Sequence, residues 1–86
     1  FALVQIASTI GHDVQIGRYS RIDGGVLCVG GTRIGDEVVI HTSAIINHKV
    51  VVESRSTVGA GSLVIRKVKA GSSVFGNPAK KMDHML

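Results

Sequence analysis

Ile10-Gly11-His12-Asp13-Val14-Gln15-Ile16-Gly17-Arg18-Tyr19-Ser20-Arg21-Ile22 carries an apolar residue at every sixth position. The phase holds outward in both directions: Val4, Ile10, Ile16, Ile22, Cys28, Ile34, Ile40, Ile46, Val52, Val58, Val64 and Ala70. At 44% hydrophobic content, so long a run at a preset phase arises by chance about 5 times in 100,000. A period of six does not match the 3.6 of an α-helix, and a fixed six-residue repeat signals a β-helix. The abundance of Gly, Val and Ile suits strands and turns.

The rest of the hexad is as regular. Four residues after each apolar position stands a small or β-branched one: Ser8, Val14, Ser20, Val26, Thr32, Val38, Ala44, Val50, Ser56, Ser62, Val68 and Val74. Gly often follows the apolar position directly, as at Gly11, Gly17, Gly35, Gly59 and Gly71, and glycine suits a corner because it takes positive φ without steric cost. Two inward positions per hexad leave one short strand and one turn. Three such sides close a coil of 18 residues, so residues 18 apart stack about 4.8 Å from one another. The expected fold is all-β, a parallel β-helix of about four 18-residue coils, with all twelve sixth residues pointing inward. The repeat defines residues 1–75. Residues 76–86 are a C-terminal extension, in which Gly76-Asn77-Pro78-Ala79-Lys80-Lys81-Met82 reads as a turn leaving the coil and the last residues as a short helix or a loose tail.

An 86-residue chain makes one domain with a thin core, and solenoid ends need caps, so an oligomer is expected. The net charge is +4, concentrated late in Arg66, Lys67, Lys69, Lys80 and Lys81. Such an end either solubilises the solenoid or meets phosphates. One Tyr, two Phe and no stacking motif argue against nucleic acid. The single Cys28 falls on an inward position and reads as a buried thiol. No signal peptide or membrane span is visible, and the expected location is cytoplasmic.

The coil-length period turns the sequence into columns. His12, Gly30, His48 and Arg66 form one, outside the coil. Thr9, Leu27, Ile45 and Leu63 form another, pointing outward, and three of its four members are large and apolar. The corresponding columns on the other sides are more polar: Gln15, Arg33, Val51, Lys69, and Arg21, Val39, Thr57, Phe75. An exposed apolar stripe marks an interface, and this one directly precedes the histidine column. His41 and His84 read as structural or solvated. A zinc site needs clustered ligands, and no level of one chain supplies three, so no metal is expected.

The segments Ile10-Gly11-His12-Asp13-Val14-Gln15-Ile16-Gly17, Gly24-Gly25-Val26-Leu27-Cys28-Val29-Gly30-Gly31 and Gly76-Asn77-Pro78-Ala79-Lys80-Lys81-Met82, in this order, resemble the C-terminal half of the sialic-acid O-acetyltransferase-like sugar acyltransferases. That hexapeptide-repeat group includes the N-acetyltransferases of bacillosamine and perosamine nucleotide sugars. The resemblance implies a left-handed β-helix, although crossover rules alone favour the right hand. It also implies a homotrimer, here through Thr9, Leu27, Ile45 and Leu63, with acetyl-CoA bound between neighbouring helices. By the same resemblance His12 matches the general base, Asp13 the acid that supports it, and Gly30 the backbone N–H that polarises the thioester carbonyl. The columns agree, since Gly30 stacks one coil from His12. For acetyl-CoA the resemblance points to Thr42 and Ala60, and to Lys80 or Lys81 for phosphate. His48 is the next candidate for the base.

The group's N-terminal Rossmann-like domain has no counterpart here, so its acceptor does not carry over. Leu3-Val4-Gln5-Ile6-Ala7 with a later His also resembles the UDP-acylglucosamine N-acyltransferase of lipid A synthesis, which uses acyl carrier protein and has a long helical C-terminus. The expected activity is acetyl transfer to an amine or hydroxyl of a small, sugar-like acceptor. The alternative is a non-catalytic trimeric β-helix scaffold.

Overall fold

The computed structural model describes residues 2–5 and 7–82. His84 lies outside the described residues. The described chain is all strand and turn, wound into a prism of 33 × 23 × 22 Å. Each side of the prism is a stack of short strands, nearly all of two residues. Leu3–Val4, Arg21–Ile22, Val39–Ile40, Thr57–Val58 and Ser73–Gly76 build the first face; Thr9–Ile10, Leu27–Cys28, Ile45–Ile46 and Leu63–Val64 the second; Gln15–Ile16, Arg33–Ile34 and Val51–Val52 the third. Every pairing within a face is parallel. Through Val64 each strand pairs with the one a full coil further on, as in Ile22↔Ile40 and Cys28↔Ile46.

The core is the inside of this coil. Ile22, Cys28, Ile34, Ile40, Ile46, Val52, Val58 and Val64 are all at most 3% exposed. The second inward position of each hexad is buried with them, at Ser20, Val26, Thr32, Val38, Ala44, Val50, Ser56 and Ser62. Burying hydroxyls needs partners: the Ser20 hydroxyl donates to Gly35 O at 2.6 Å and accepts from Val38 N–H at 3.1 Å. Burial also pushes the Cys28 thiol up to about 11, because a thiolate would lose its solvation.

At the two ends the inward phase does not hold. Val4 and Ile10 are exposed and Ile16 is half-buried, since the first coil is covered on one side only. Near the other end the coil tightens. Val52 bridges Val68, and Thr57 and Val58 pair with Ser73 and Val74, so each partner comes two positions earlier than a full coil would bring it. Ala70 is therefore exposed at a turn instead of inward, and Val68 and Val74 take the inward sites. Ser73, not Phe75, continues the column of Arg21, Val39 and Thr57.

Residues 76–82 do not leave the coil as expected, and the last residues, expected as a short helix or a loose tail, lie outside the described residues. The chain turns at Asn77-Pro78, and Ala79–Lys81 returns antiparallel against Ser73–Gly76, pairing Phe75 with Lys80 and Val74 with Lys81. It thus covers an edge of the last coil.

The corners also revise the role of glycine. Positive φ recurs every sixth position from Ala7 to Gly61, but at the third residue after the inward one, and mostly on residues other than glycine, such as Asp13, Glu37, Ser43, Lys49 and Arg55. The N–H of such a residue donates to the coil before it: Gly31 to His12 O at 2.8 Å, Glu37 to Arg18 O at 2.9 Å, Lys49 to Gly30 O at 3.2 Å. Those bonds offset the roughly 1 kcal/mol or more that a left-handed conformation costs. The glycines directly after the inward residue serve closeness instead. A Cβ at Gly11 would stand 2.8 Å from Gly30 N, and one at Gly35 2.6 Å from Ser54 N.

Candidate active site

The corner between the second and third faces carries Gly11-His12-Asp13, Val29-Gly30-Gly31 and Asn47-His48-Lys49, one above another. Gly31 N–H to His12 O and Lys49 N–H to Gly30 O set the stack. Gly30 lies against His12 so closely that a Cβ there would be 3.2 Å from His12 O and 3.9 Å from His12 Cβ. Gly11, without a side chain, lets the Gly30 amide approach. His12, Asp13 and His48 are exposed, and Gly30 is half-buried. The structure thus brings His12 and Gly30 together. Among the described residues the Gly30 N–H has no acceptor; the Thr42 and His48 amides, at the same place in their turns, share that state. Among the described residues, too, no hydrogen bond or ion pair joins His12 to Asp13.

The carboxylate-held histidine is a different one. His41 Nδ1 lies 3.4 Å from Asp23 Oδ2, and Arg21 Nε donates to Asp23 Oδ1 at 3.0 Å. This cluster sits on the first face and the corner between the first and second faces, and the sequence reading missed it. The signal was present, since Asp23 and His41 stand one coil apart in a single column. Thr42 and Ala60 stand on that same corner, stacked through Gly61 N–H to Thr42 O at 2.9 Å, and both are exposed. Lys80 and Lys81 are elsewhere again. They line a cavity of about 400 Å³ at the C-terminal end, with Arg66, Lys67 and Lys69 around an apolar floor that includes Val68. In one chain, then, the residues expected to hold a coenzyme fall at two places, neither on the His12 corner. Between the two corners runs the second face, whose in-register outward residues are Thr9, Leu27, Ile45 and Leu63. Leu27 is 37% and Ile45 38% exposed.

Beside the His12 corner a groove of about 490 Å³ runs over the third face, lined by Asp13, Gln15, Gly31, Arg33, Lys49 and Val51. Among the described residues no group of three or more His, Cys, Asp or Glu side chains is placed to hold a metal, and no helix is long and apolar enough to cross a membrane.

A family profile described as "Bacterial transferase hexapeptide (six repeats)" matches residues 31–66. No curated protein sequence matches the chain significantly. Solved structures do. LpxA from Acinetobacter baumannii aligns with a TM-score of 0.92 at 28% identity, over 94% of this chain and 31% of that one. The acetyltransferase domain of PglB from Neisseria gonorrhoeae, in complex with acetyl coenzyme A, aligns at 0.60 and 30% identity, over 94% of this chain and 45% of that one. A histidine-to-asparagine variant of perosamine N-acetyltransferase from Caulobacter crescentus, in complex with CoA and GDP-perosamine, shares the fold at 0.72 and 18% identity, over 96% of this chain and 54% of that one. The chain thus spans about a third to a half of the length of these relatives. Six-residue period, parallel coil-to-coil register and likeness to these proteins agree: the chain is a left-handed parallel β-helix built of hexapeptide repeats, similar to the hexapeptide-repeat acyltransferases.

Proposed function

We propose that the chain supplies the β-helix of an acetyl-CoA-dependent transferase that acetylates an amine or hydroxyl of a sugar-like acceptor. The observation that carries this reading is the stacking of Gly30 on His12. An imidazole and a backbone N–H without an acceptor flank one point on the surface. The imidazole takes the proton of the attacking hydroxyl or amine, and the N–H stabilises the oxyanion as the new bond to the acyl carbon forms. CoA then leaves as the thiolate. A positioned base is worth about 10²–10⁴ in rate and an oxyanion donor about 10²–10³. Asp13 is the base's neighbour in the chain.

The active assembly in this reading is a homotrimer. A three-fold ring joins two different patches of each chain head to tail, and the apolar second face with the corners on its two sides supplies them. In a trimer closed through it, the corner with Thr42 and Ala60 meets the neighbour's corner with His12 and Gly30. Coenzyme-holding and proton-accepting groups that stand apart in one chain then border a shared cleft. Lys80 and Lys81 remain the phosphate-binding candidates at its end.

Acetyl-CoA should raise the melting temperature, as a ligand of the folded state does. His12→Ala should lower transfer at least about 100-fold while acetyl-CoA binding and assembly stay intact. Full activity in that variant would move the base to His48, with His48→Ala as the test. Absence of acetyl-CoA binding in the wild type would leave the scaffold reading.

A further inference from the structure

The groove on the third face gathers charged and amide side chains from three successive coils. Arg33 projects from its strand in the middle coil, Lys49 from the corner one coil further on, and Asp13 from the corner one coil before. Gly31, at φ +80°, is the member of this corner column without a side chain, and a Cβ on it would stand 2.9 Å from Lys49 Cγ. Its absence opens the floor between Asp13 and Lys49. Gln15 and Val51 flank Arg33 in register on the two neighbouring strands. Among the described residues none of Asp13, Arg33 and Lys49 enters an ion pair. Nor do these three side chains or that of Gln15 make a hydrogen bond there. On the first face and near the C-terminal end, by contrast, Arg21 and the His41 ring lie against Asp23, and Lys67 against Glu53. Here two cations, a carboxylate and an amide converge on one hollow with their bonding capacity unspent.

We infer that this groove is the acceptor site, and that it takes a small hydroxylated molecule carrying one anionic group, a sugar phosphate or a sugar acid. The inference rests on the transfer reading above and adds the substrate class. The anion sits between the Arg33 guanidinium, which can offer a two-pronged donor, and the Lys49 ammonium. Hydroxyls face Asp13, which accepts from them, and Gln15, which both donates and accepts. Val51 gives the occupant an apolar wall. The order of these groups fixes the polarity of the occupant: its charged end lies toward Arg33 and Lys49, and its hydroxyl end toward Asp13, next in the chain to His12.

The test reads binding in the full chain without acetyl-CoA. Backbone amide NMR signals are followed during titration with glucose 6-phosphate, glucuronate, uncharged methyl glucoside and inorganic phosphate. Glucose 6-phosphate, glucuronate or both should shift the Gly31, Arg33 and Lys49 signals, and which of the two binds tells phosphate from carboxylate. Methyl glucoside should leave these signals in place, and inorganic phosphate should bind more weakly. Arg33→Ala and Lys49→Ala, both at exposed positions, should each weaken the anionic sugar about tenfold and leave the melting temperature unchanged. Methyl glucoside binding as well as the anions, inorganic phosphate binding as tightly as the sugar phosphate, no shift from either anionic sugar, or unchanged affinity in both variants would overturn the inference. Acetyl-CoA raising the melting temperature while the groove stays silent would overturn it and leave the transfer reading standing. Anion binding without any acetyl-CoA binding would overturn the transfer reading and with it the acceptor role, leaving the groove as a binding site for anionic sugars.

Discussion

At single residues, the coil is governed by how closely one turn approaches the next. Gly35 and Gly61 separate two uses of glycine that composition alone merges. A Cβ on Gly35 would meet Ser54 N at 2.6 Å and Ser54 Cα at 2.9 Å, both backbone, so two coils would have to part. Gly61 has φ +69° and nothing within 4 Å of an added Cβ, so only the conformational cost applies. Gly35→Ala should therefore lower stability by about 2–3 kcal/mol, as overpacking against an unyielding neighbour does, and Gly61→Ala by about 1 kcal/mol. Urea unfolding of the two variants checks this, and a larger loss at Gly61 would contradict it. The same closeness shapes the candidate site, since a side chain at Gly11 would push Gly30 away from His12. Stacking of His12 with Gly30 was legible from counting one coil along the sequence. That His12 and Asp13 make no contact was not, because adjacent residues of a turn leave the direction of their side chains open.

At the level of the strand and the coil, the repeat works because short strands recur in one register. From Ile22 to Val64 the inward positions follow from the period alone. Beyond Val64 they do not, and the reason is physical. Val68, Ala70 and Val74 are all apolar, so a count in steps of six passes through Ala70 without a mismatch. The choice of Val68 is made by the hydrogen bonds that the shortened coil gains. Glu53 N–H donates to Val68 O at 2.9 Å, Ala70 N–H to the Glu53 carboxylate at 3.0 Å, and the Ser56 hydroxyl to Lys69 O at 2.9 Å. The Ala70 N–H, and then Lys67 at 3.3 Å, hold the Glu53 carboxyl below the usual carboxylate range. A lowered folded value means that this contribution is present above the carboxylate range of about 4 and lost as pH falls through the folded value. Hydrogen exchange at Ala70 should therefore speed up in acid, relative to a buried amide such as that of Ile46. Glu53→Gln should remove that difference and show faster Ala70 exchange already at neutral pH. An Ala70 amide whose protection is the same in acid and at neutral pH would rule out this role for Glu53.

For the whole molecule, the decisive quantity is how much apolar surface the prism leaves outside. A single coil encloses little, and the enclosed side chains are mostly Val, Ala, Ser and Ile, so each added coil contributes a modest core. Large apolar side chains remain outside: Leu27 and Ile45 on the second face, Tyr19, Ile65 and Phe75 elsewhere. The pair on the second face is continued in register by further coils, through Leu63 at one end and Thr9 at the other. Burying such a stripe returns about 25 cal/mol for each Å² removed from water, and scattered side chains cannot be gathered into one contact in the same way. The proposed trimer therefore has a specific weak point. Leu27→Asp with Ile45→Asp puts two carboxylates at the centre of the stripe, where association would strip their water without offering a cation. Both side chains point away from the coil, so the fold of each chain should survive, with its strand signature in circular dichroism unchanged. Light scattering should then report monomers in place of trimers, and transfer should fall with assembly even though His12 and Gly30 are untouched in every chain. A double variant that stays trimeric would remove the second face from the contact, and a wild type that is monomeric at working concentration would remove the trimer itself. A monomeric variant that still transfers acetyl groups at full rate would show that a single chain's corner suffices.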